Sequence, residues 1–312
     1  MKAILCTGYG PPEVLQLAEV EKPTPKNNEV LIKIHATAVT ASDTIVRGFK
    51  LSRWSPLGFM MALVIGWNKP RQPILGMVLA GEVEAAGGGV ERFRAGDLVY
   101  GSTLTTNKIQ FGAYAEYLCL PEDALIALKP SRLSFEEAAA IPYGAGLALF
   151  FLKQATLQPG QKALIYGASG AIGTAAVQLT KYFGATVTGV CSARNAELVK
   201  SLGADAVIDY TAADAVDHLE RYDLVFDAVG EAKTSALKER SKTALTPNGT
   251  YLSVDKGSPK NYPEEYDLFN EMIAAGKLKA VIDRTYPLEQ IAEAHRYVDG
   301  GHKKGNVVIT VG

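Results

Sequence analysis

The sequence predicts an α/β protein, a doubly wound parallel sheet preceded by a small β-barrel-like domain. Three observations carry this. Lys162 to Arg194 reads as strand, glycine-rich turn, helix and strand within about thirty residues. Short strand-like runs recur after it, at Ala206 to Tyr210, Tyr222 to Asp227 and Thr250 to Val254. From Met1 to about Pro121 the pattern is instead one of many short strands and glycine turns.

Taken in order, Val30 to Ala36 is a strand, and His35 within it is a structural residue. Gly81 to Gly87 alternates, Asp97 to Tyr100 follows the Arg94-Ala95-Gly96 turn, and Tyr114 to Leu120 alternates again. Between Gly48 and Pro73 lies an insert whose apolar centre, Leu57 to Trp67, is flanked by Arg53 and Lys69. Eleven residues are too few to span a bilayer, which takes about twenty. The insert reads as a wall of a substrate cleft, as a helix packed into its domain, or as a patch touching a membrane surface. Ser134-Phe135-Glu136-Glu137 has the Ser-x-x-Glu form of a capping box, and the helix it opens leads through Pro142-Tyr143-Gly144 into Leu147 to Gln154.

Ala163 to Tyr166 is the short apolar run of a buried parallel strand. Gly167 and the turn Ala168-Ser169-Gly170-Ala171-Ile172-Gly173 follow, then helix formers from Thr174 to Phe183, a stop at Gly184, and a β-branched strand from Thr186 to Val190. This context makes the turn a dinucleotide-binding candidate rather than a simple chain reversal. Gly170 leaves room for a pyrophosphate beside the backbone, and Gly173 lets the helix sit close to the strand. Unpaired N–H groups and the macrodipole at the helix start favour an anion.

A cofactor lacking the 2′-phosphate calls for Asp or Glu about 20 residues beyond the glycines. Here the second strand runs into Val190-Cys191-Ser192-Ala193-Arg194, with no carboxylate before Glu197. A hydroxyl and a guanidinium suit a phosphate, so Ser192 and Arg194 point to NADPH. The plainer alternative is that Arg194 is a solvated charge at a helix start.

Bulk properties fit two soluble domains. The chain has 312 residues, 47% hydrophobic and 21% charged, with a net charge of −1. That balance gives no reason to expect nucleic acid or an anionic membrane as a general partner. Cys6, Cys119 and Cys191 are too dispersed to read as a disulfide framework or a zinc cluster. The N-terminus leads directly into a strand-like segment, so the expected location is cytoplasmic.

Longer motifs now add a resemblance. Val83 to Gly101, V-E-A-A-G-G-G-V-E-R-F-R-A-G-D-L-V-Y-G, is similar to the medium-chain dehydrogenase/reductase superfamily. So are Gly112 to Tyr117, the A-A-A-I-P-Y-G segment ending at Gly144, Val207 to Tyr210, Phe226 to Gly230, and Pro287 to Val311. The chain most resembles the zinc-free, quinone-oxidoreductase-like branch. The resemblance implies a GroES-like catalytic domain over residues 1–123, a Rossmann domain over 124–263, and a C-terminal segment, 264–312, returning to the first. It places Lys181 and Tyr210 with Ser192 and Arg194 around the adenosine phosphate, and Ala228, Val229, Gly230, Ser253 and Val254 along the ribose and nicotinamide. Zinc-dependent members carry a cysteine where this chain has Thr40 and a His-Glu pair where it has Met77-Val78, so no metal is expected. Ser258 to Pro263 leads straight into a helix over Glu264 to Ala275. The family's sixth strand is therefore missing, and a monomer is expected over a homodimer.

The expected function is hydride transfer from NADPH to a small-molecule quinone or α,β-unsaturated carbonyl. The anion that develops is delocalised and needs hydrogen-bond donors more than a metal ion. Thr40 and Tyr143 are the candidate donors. A metal-free alcohol dehydrogenase or ketone reductase is the enzymatic rival, disfavoured because a simple carbonyl would have to be polarised without zinc. A non-enzymatic NADPH-binding protein is the other.

Overall fold

A computed structural model describes residues 1–49, 54–104, 110–231, 234–257, 260 and 262–312. They form two units, Met1–Pro142 with Ile282–Gly312, and Tyr143–Val281. The divisions differ from those expected at 123 and 263. Backbone pairing and packing explain both shifts. A strand at Ile126–Leu128 pairs with the first unit's sheet. The helix expected to open the C-terminal segment is tied to the second unit instead, through Lys153 to Glu265 at 2.7 Å and Tyr182 to Glu271 at 2.6 Å.

In the first unit β1 (Lys2–Cys6) and β2 (Leu15–Glu19) form an antiparallel ribbon. The organising strand is β3 (Glu29–Val39), eleven residues long. It leads into α1 (Ala41–Gly48) and then α2 (Pro56–Ile65), which forms inside the insert. Next come β4 (Val78–Ala86), β5 (Leu98–Ser102), β6 (Tyr117–Pro121), β7 (Ile126–Leu128) and α3 (Phe135–Ala139). Strand β3 pairs antiparallel with both β4 and β6, and β4 continues to β5 and β7. Ile32, Ile34, Leu79 and Val99 are buried in the core these strands enclose. Helix α3 starts on the expected box: Ser134 Oγ accepts from the Glu137 amide at 3.1 Å, and Glu137 accepts from the Ser134 amide at 2.9 Å.

The second unit follows with α4 (Pro142–Ala155), β8 (Lys162–Tyr166), α5 (Ala171–Tyr182), β9 (Thr186–Cys191), α6 (Ala196–Ser201), β10 (Ala206–Asp209), β11 (Tyr222–Asp227), α7 (Ala236–Ser241), β12 (Leu245–Ser253) and α8 (Glu265–Ala274). Its sheet runs β10-β9-β8-β11-β12, with every pair parallel. The order reverses between β8 and β11, the switch point at which doubly wound sheets bind ligands. Among the described residues no strand lies outside β12, as expected of a sheet without its sixth strand. Residues 258, 259 and 261 of the shortened segment lie outside the described residues, as does Arg53 of the insert.

The chain ends with β13 (Ile282–Pro287), α9 (Ile291–Asp299) and β14 (Asn306–Thr310). Strand β14 pairs antiparallel with the second half of β3 and parallel with β13, which makes these residues part of the first unit's sheet. Among the described residues one helical stretch, Phe135–Ala155, is long and apolar enough to cross a bilayer, but its most apolar window is 67% buried inside the protein.

Candidate active site

The carboxyl ends of the second unit's strands are level. Tyr166 is opposite Val190 and Asp227, Asp227 opposite Ser253, and Asp209 opposite Cys191. The glycine turn leaves β8 at this edge. Gly167 has φ +80°, a left-handed conformation, and a Cβ there would run into the Val229 side chain. At Gly173 a Cβ would overlap the Gly167 carbonyl, so α5 can approach the strand only with glycine there. Gly170 is different. Its backbone is extended, and the nearest atom to a Cβ would be the Gly167 carbonyl at 3.5 Å. The protein's own packing does not require that side chain to be missing. Gly170 is also the N-cap of α5 and supplies no side-chain cap, so Ala171 and Ile172 present the helix's first turn to that space. Ala168 is buried beneath the turn, and its amide donates to Val190 O at 2.9 Å.

Ser192 and Arg194 follow β9 on the same edge, and Tyr210 follows β10, its amide donating to Cys191 O at 3.1 Å. Ser192 is half-buried, while Arg194 and Tyr210 are exposed. The structure adds Asn195. It is buried, its Nδ2 donates to Ser169 Oγ at 3.1 Å and Ser192 Oγ at 3.3 Å, and its Oδ1 has no partner. It thereby joins the glycine turn to the Ser192 corner. The signal available in sequence was its place three residues after Ser192.

Asp209 also stands at this edge, a carboxylate that counting along the chain from the glycines does not find. Thr211 donates to its Oδ1 through N at 3.0 Å and through Oγ1 at 2.8 Å, and these bonds hold its pKa below the ordinary value. The Ala193 amide also hydrogen-bonds this carboxylate, which ties it to the Ser192–Arg194 loop as well as to its own.

On the other side of the switch point Asp227 ends β11. Its Oδ1 accepts from the amides of Val229 at 3.0 Å and Gly230 at 3.2 Å, shaping the turn Ala228-Val229-Gly230. Its Oδ2 receives Lys238 Nζ at 2.8 Å, Tyr251 OH at 3.1 Å and Ser253 Oγ at 3.4 Å. Lys238 also donates to Gly230 O. Val254 continues from β12 and donates to Asp227 O at 3.1 Å. Ser253 and Val254 are thus joined to the 228–230 turn through one buried carboxylate.

Lys181 is the exception. It lies near the end of α5, roughly 15 Å along the axis from Ala171 at 1.5 Å per residue, and its Nζ is 2.7 Å from Asp205. Asp205 in turn accepts from the Val187 amide at the start of β9. The helix runs antiparallel to the strands, so its last turn reaches the opposite end of the sheet from the glycines. Lys181 does not belong to the adenosine-phosphate group.

The ADH_zinc_N family, described as zinc-binding dehydrogenase, matches residues 171–285, and the alcohol dehydrogenase GroES-like domain matches residues 26–130. A 2-methylene-furan-3-one reductase of Solanum lycopersicum is 35% identical, covering 99% of this chain and 79% of that protein. An NADPH-dependent alkenal/one oxidoreductase of Arabidopsis thaliana, chloroplastic, is 32% identical over the same shares. Among solved structures, the quinone oxidoreductase from Coxiella burnetii superposes with a TM-score of 0.85 at 29% identity, covering 100% of this chain and 99% of its own. The chain belongs to the medium-chain dehydrogenase/reductase superfamily. It is an oxidoreductase of the quinone- and enone-reductase-like group and uses a nicotinamide cofactor.

Within this superfamily the first unit holds the catalytic-domain positions. Thr40 is the N-cap of α1 and is buried. Its hydroxyl donates to Asp43 Oδ2 at 2.6 Å and accepts from the Asp43 amide at 3.2 Å, a complete capping box. The Thr40 hydroxyl is thus directed at Asp43. Met77 and Val78 are packed in the core of the first unit. Asp43 is buried, with Gly76 N donating to its Oδ1 at 3.2 Å and Tyr114 OH donating as well. Burial pushes its pKa up to about 6 despite those bonds. The chain of contacts continues from Tyr114 OH to His295 Nε2 at 3.1 Å, with the buried Arg47 close by and paired with Asp299 at 2.7 Å. Tyr143, the other candidate donor, is half-buried in the first turn of α4, in the second unit.

Proposed function

We propose that the protein is an NADPH-dependent reductase that needs no zinc and acts on a quinone or an α,β-unsaturated carbonyl. The observation that carries the reading is the identity and packing of three side chains: a threonine engaged as a helix cap at 40, and Met77 and Val78 buried in the core. None of them can serve as a tetrahedral zinc ligand. The substrate class must then be one whose developing anion is delocalised enough to be stabilised by hydrogen bonds. The printed names of the relatives, a furanone reductase, an alkenal/one oxidoreductase and a quinone oxidoreductase, support that class.

When bound, the dinucleotide supplies a hydride. The residues of this chain hold and orient it. Gly170 leaves the space for the pyrophosphate, Gly167 and Gly173 allow the turn to close under it, and the start of α5 faces its charge. Ser192 and Arg194 would take a 2′-phosphate, with Asn195 fixing the Ser192 hydroxyl. The turn at Val229 and Gly230, held by Asp227, would lie along the ribose and nicotinamide with Ser253 and Val254. Thr40, whose hydroxyl is directed at Asp43, and Tyr143 are the candidate donors, and water can supply the final proton.

Cys6, Cys119 and Cys191 are free, and burial raises each thiol to about 11, which suits a protein working in a reducing, cytoplasmic setting. The functional test is steady-state NADPH oxidation with a quinone, an enone and a simple ketone, before and after chelator treatment. Saturation with quinone or enone but not ketone, with rates unchanged by the chelator, is expected. Comparable turnover of the ketone, or loss of activity on chelation, would replace this reading with a zinc-type alcohol dehydrogenase.

A further inference from the structure

Helix α2 is apolar on every side, yet only one side is covered. Ala62 is 1% exposed and Ile65 packs against the first unit's core. Tyr9 OH pins the helix end by donating to Gly66 O at 2.9 Å. The opposite face presents Phe59, Met60, Leu63 and Val64, from 47% to 64% exposed. These lie at i, i+1, i+4 and i+5, one stripe of a helix. Trp67 extends the stripe, its ring edge-on to Phe59 at 5.9 Å, and Trp54 at the other end is 89% exposed. A contiguous apolar face of this kind on a soluble unit marks a contact surface.

Charge identifies the partner. Between Asp43 and Glu82 the sequence contains no Asp or Glu but has Arg47, Lys50, Arg53, Lys69 and Arg71, in a chain whose net charge is −1. Arg47 is neutralised by Asp299. Lys69 and Arg71, just beyond the turn at Gly66, are exposed. A second copy docked on the same face would bring like charges together, which opposes self-association. An anionic lipid surface complements the cations while its acyl boundary accepts the stripe, with tryptophans at the headgroup level. An interfacial helix ordinarily turns a polar face to water; here the protein's own core takes that side.

We propose that α2, with Lys69 and Arg71, docks the protein peripherally on anionic bilayers. The inference does not depend on the substrate reading, because binding is measured without turnover. Full-length protein is sedimented with vesicles of phosphatidylcholine alone or mixed with phosphatidylglycerol, at low and high salt. Binding to the mixed vesicles that weakens with salt is expected. Lys69→Gln/Arg71→Gln should lower the partition constant about twenty- to thirtyfold, since each cation near such a surface contributes roughly fivefold. Met60→Asp/Val64→Asp should lower it more than tenfold. Both pairs of side chains are exposed, so unchanged thermal melting checks that the variants are folded. Absence of sedimentation with either vesicle overturns the proposal, as does binding that the apolar variant leaves intact. A dimer in light scattering that Met60→Asp/Val64→Asp dissolves, without vesicle binding, would assign the face to a second copy. A raised KM for a water-soluble quinone in that variant, with vesicle binding unchanged, would assign it to the substrate.

Discussion

Lys238 Nζ lies 2.8 Å from Asp227 Oδ2, and both side chains are only 2% exposed. The pair sits beneath the turn whose amides Asp227 also binds, so it sets the shape of that turn at the carboxyl edge of the sheet. Lys238→Met should leave a buried carboxylate without its cation and cost roughly 3–5 kcal/mol in urea unfolding. Adding Asp227→Asn should restore part of that loss. Cofactor affinity, measured by fluorescence titration, should fall in the single variant because Gly230 O loses the lysine that holds it. A single variant as stable as the parent would show that the pair does not carry the turn.

Two glycines of the same turn should respond differently to one methyl group. At Gly173 the added carbon meets the Gly167 carbonyl, so Gly173→Ala should destabilise the fold by about 1–3 kcal/mol. At Gly170 nothing approaches closer than 3.5 Å, so Gly170→Ala should melt at the parent temperature. Its cofactor binding should nevertheless weaken at least about tenfold, from crowding of the pyrophosphate. Equal cofactor affinity in Gly170→Ala and the parent would move the pyrophosphate away from this turn.

Arg194 is the residue that tests the proposed 2′-phosphate contact. Among the described residues no acidic side chain is bridged to it, so its charge is available to a ligand. A charge-assisted contact of roughly 1.5–3 kcal/mol predicts that Arg194→Ala weakens NADPH about ten- to a hundredfold and leaves NADH nearly unchanged. Comparison of the two dissociation constants in parent and variant is the check. Equal parental affinities for NADPH and NADH would refute the phosphate role.

The glycine turn was legible because backbone space and helix placement are properties of a local stretch, here Gly167 to Gly173. The strands from Lys162 to Asp227 were legible for the same reason. What failed depended on three-dimensional direction. Lys181 lies only eight residues past Gly173, yet ten residues of helix from Ala171 carry it to the other end of the sheet. Asp209 and Asp227 come to the site by strand pairing, which gives no spacing signal from the glycines. Lys238 reaches Asp227 from a separate helix, eleven positions further along the chain and with no shared periodicity. Thr40 had a local signal, the Thr-x-x-Asp box, which specifies the cap it forms on α1. The domain divisions at 142 and 281 follow from which sheet a strand joins and which helices it holds.

Acid should act on the first unit through two neighbours of opposite sign. Burial, with Arg47 adding to it, drives the His295 pKa down to about 3. Protonation would place a second ring N–H on Nδ1, which is buried without a partner. The unfolded chain therefore binds more protons at this residue, and its contribution to stability is present above about 6.5 and lost as pH falls toward 3. Asp43, raised to about 6, behaves inversely: its contribution is present below about 3.8 and lost as pH rises through 6. In His295→Gln only the Asp43 dependence remains, with the amide still able to donate to Tyr114. The stability of the parent relative to this variant should fall by roughly 1.4 kcal/mol per pH unit below about 6.5. Urea unfolding of both proteins down to about pH 4.5 tests this, and a pH-independent difference would show that His295 titrates normally.

The outer edge of β12 carries a prediction about assembly. Among the described residues it is unpaired, and it is interrupted where Pro247 and Asn248 are exposed and the register with β11 shifts between Tyr222 and Leu224. Proline has no amide to donate, and a shifted register breaks the run of donors and acceptors that a second sheet would need. The six residues from Ser258 to Pro263 reach at most about 20 Å when extended, too little for a strand and its turns. The expected outcome is that no continuous sheet forms across two nucleotide-binding units and that the chain is a monomer at micromolar concentration. Light scattering should give a mass near the 33.3 kDa of one chain. A dimer mass that survives dilution, together with protection of the Thr250 to Ser253 amides from hydrogen exchange, would show that this edge pairs after all.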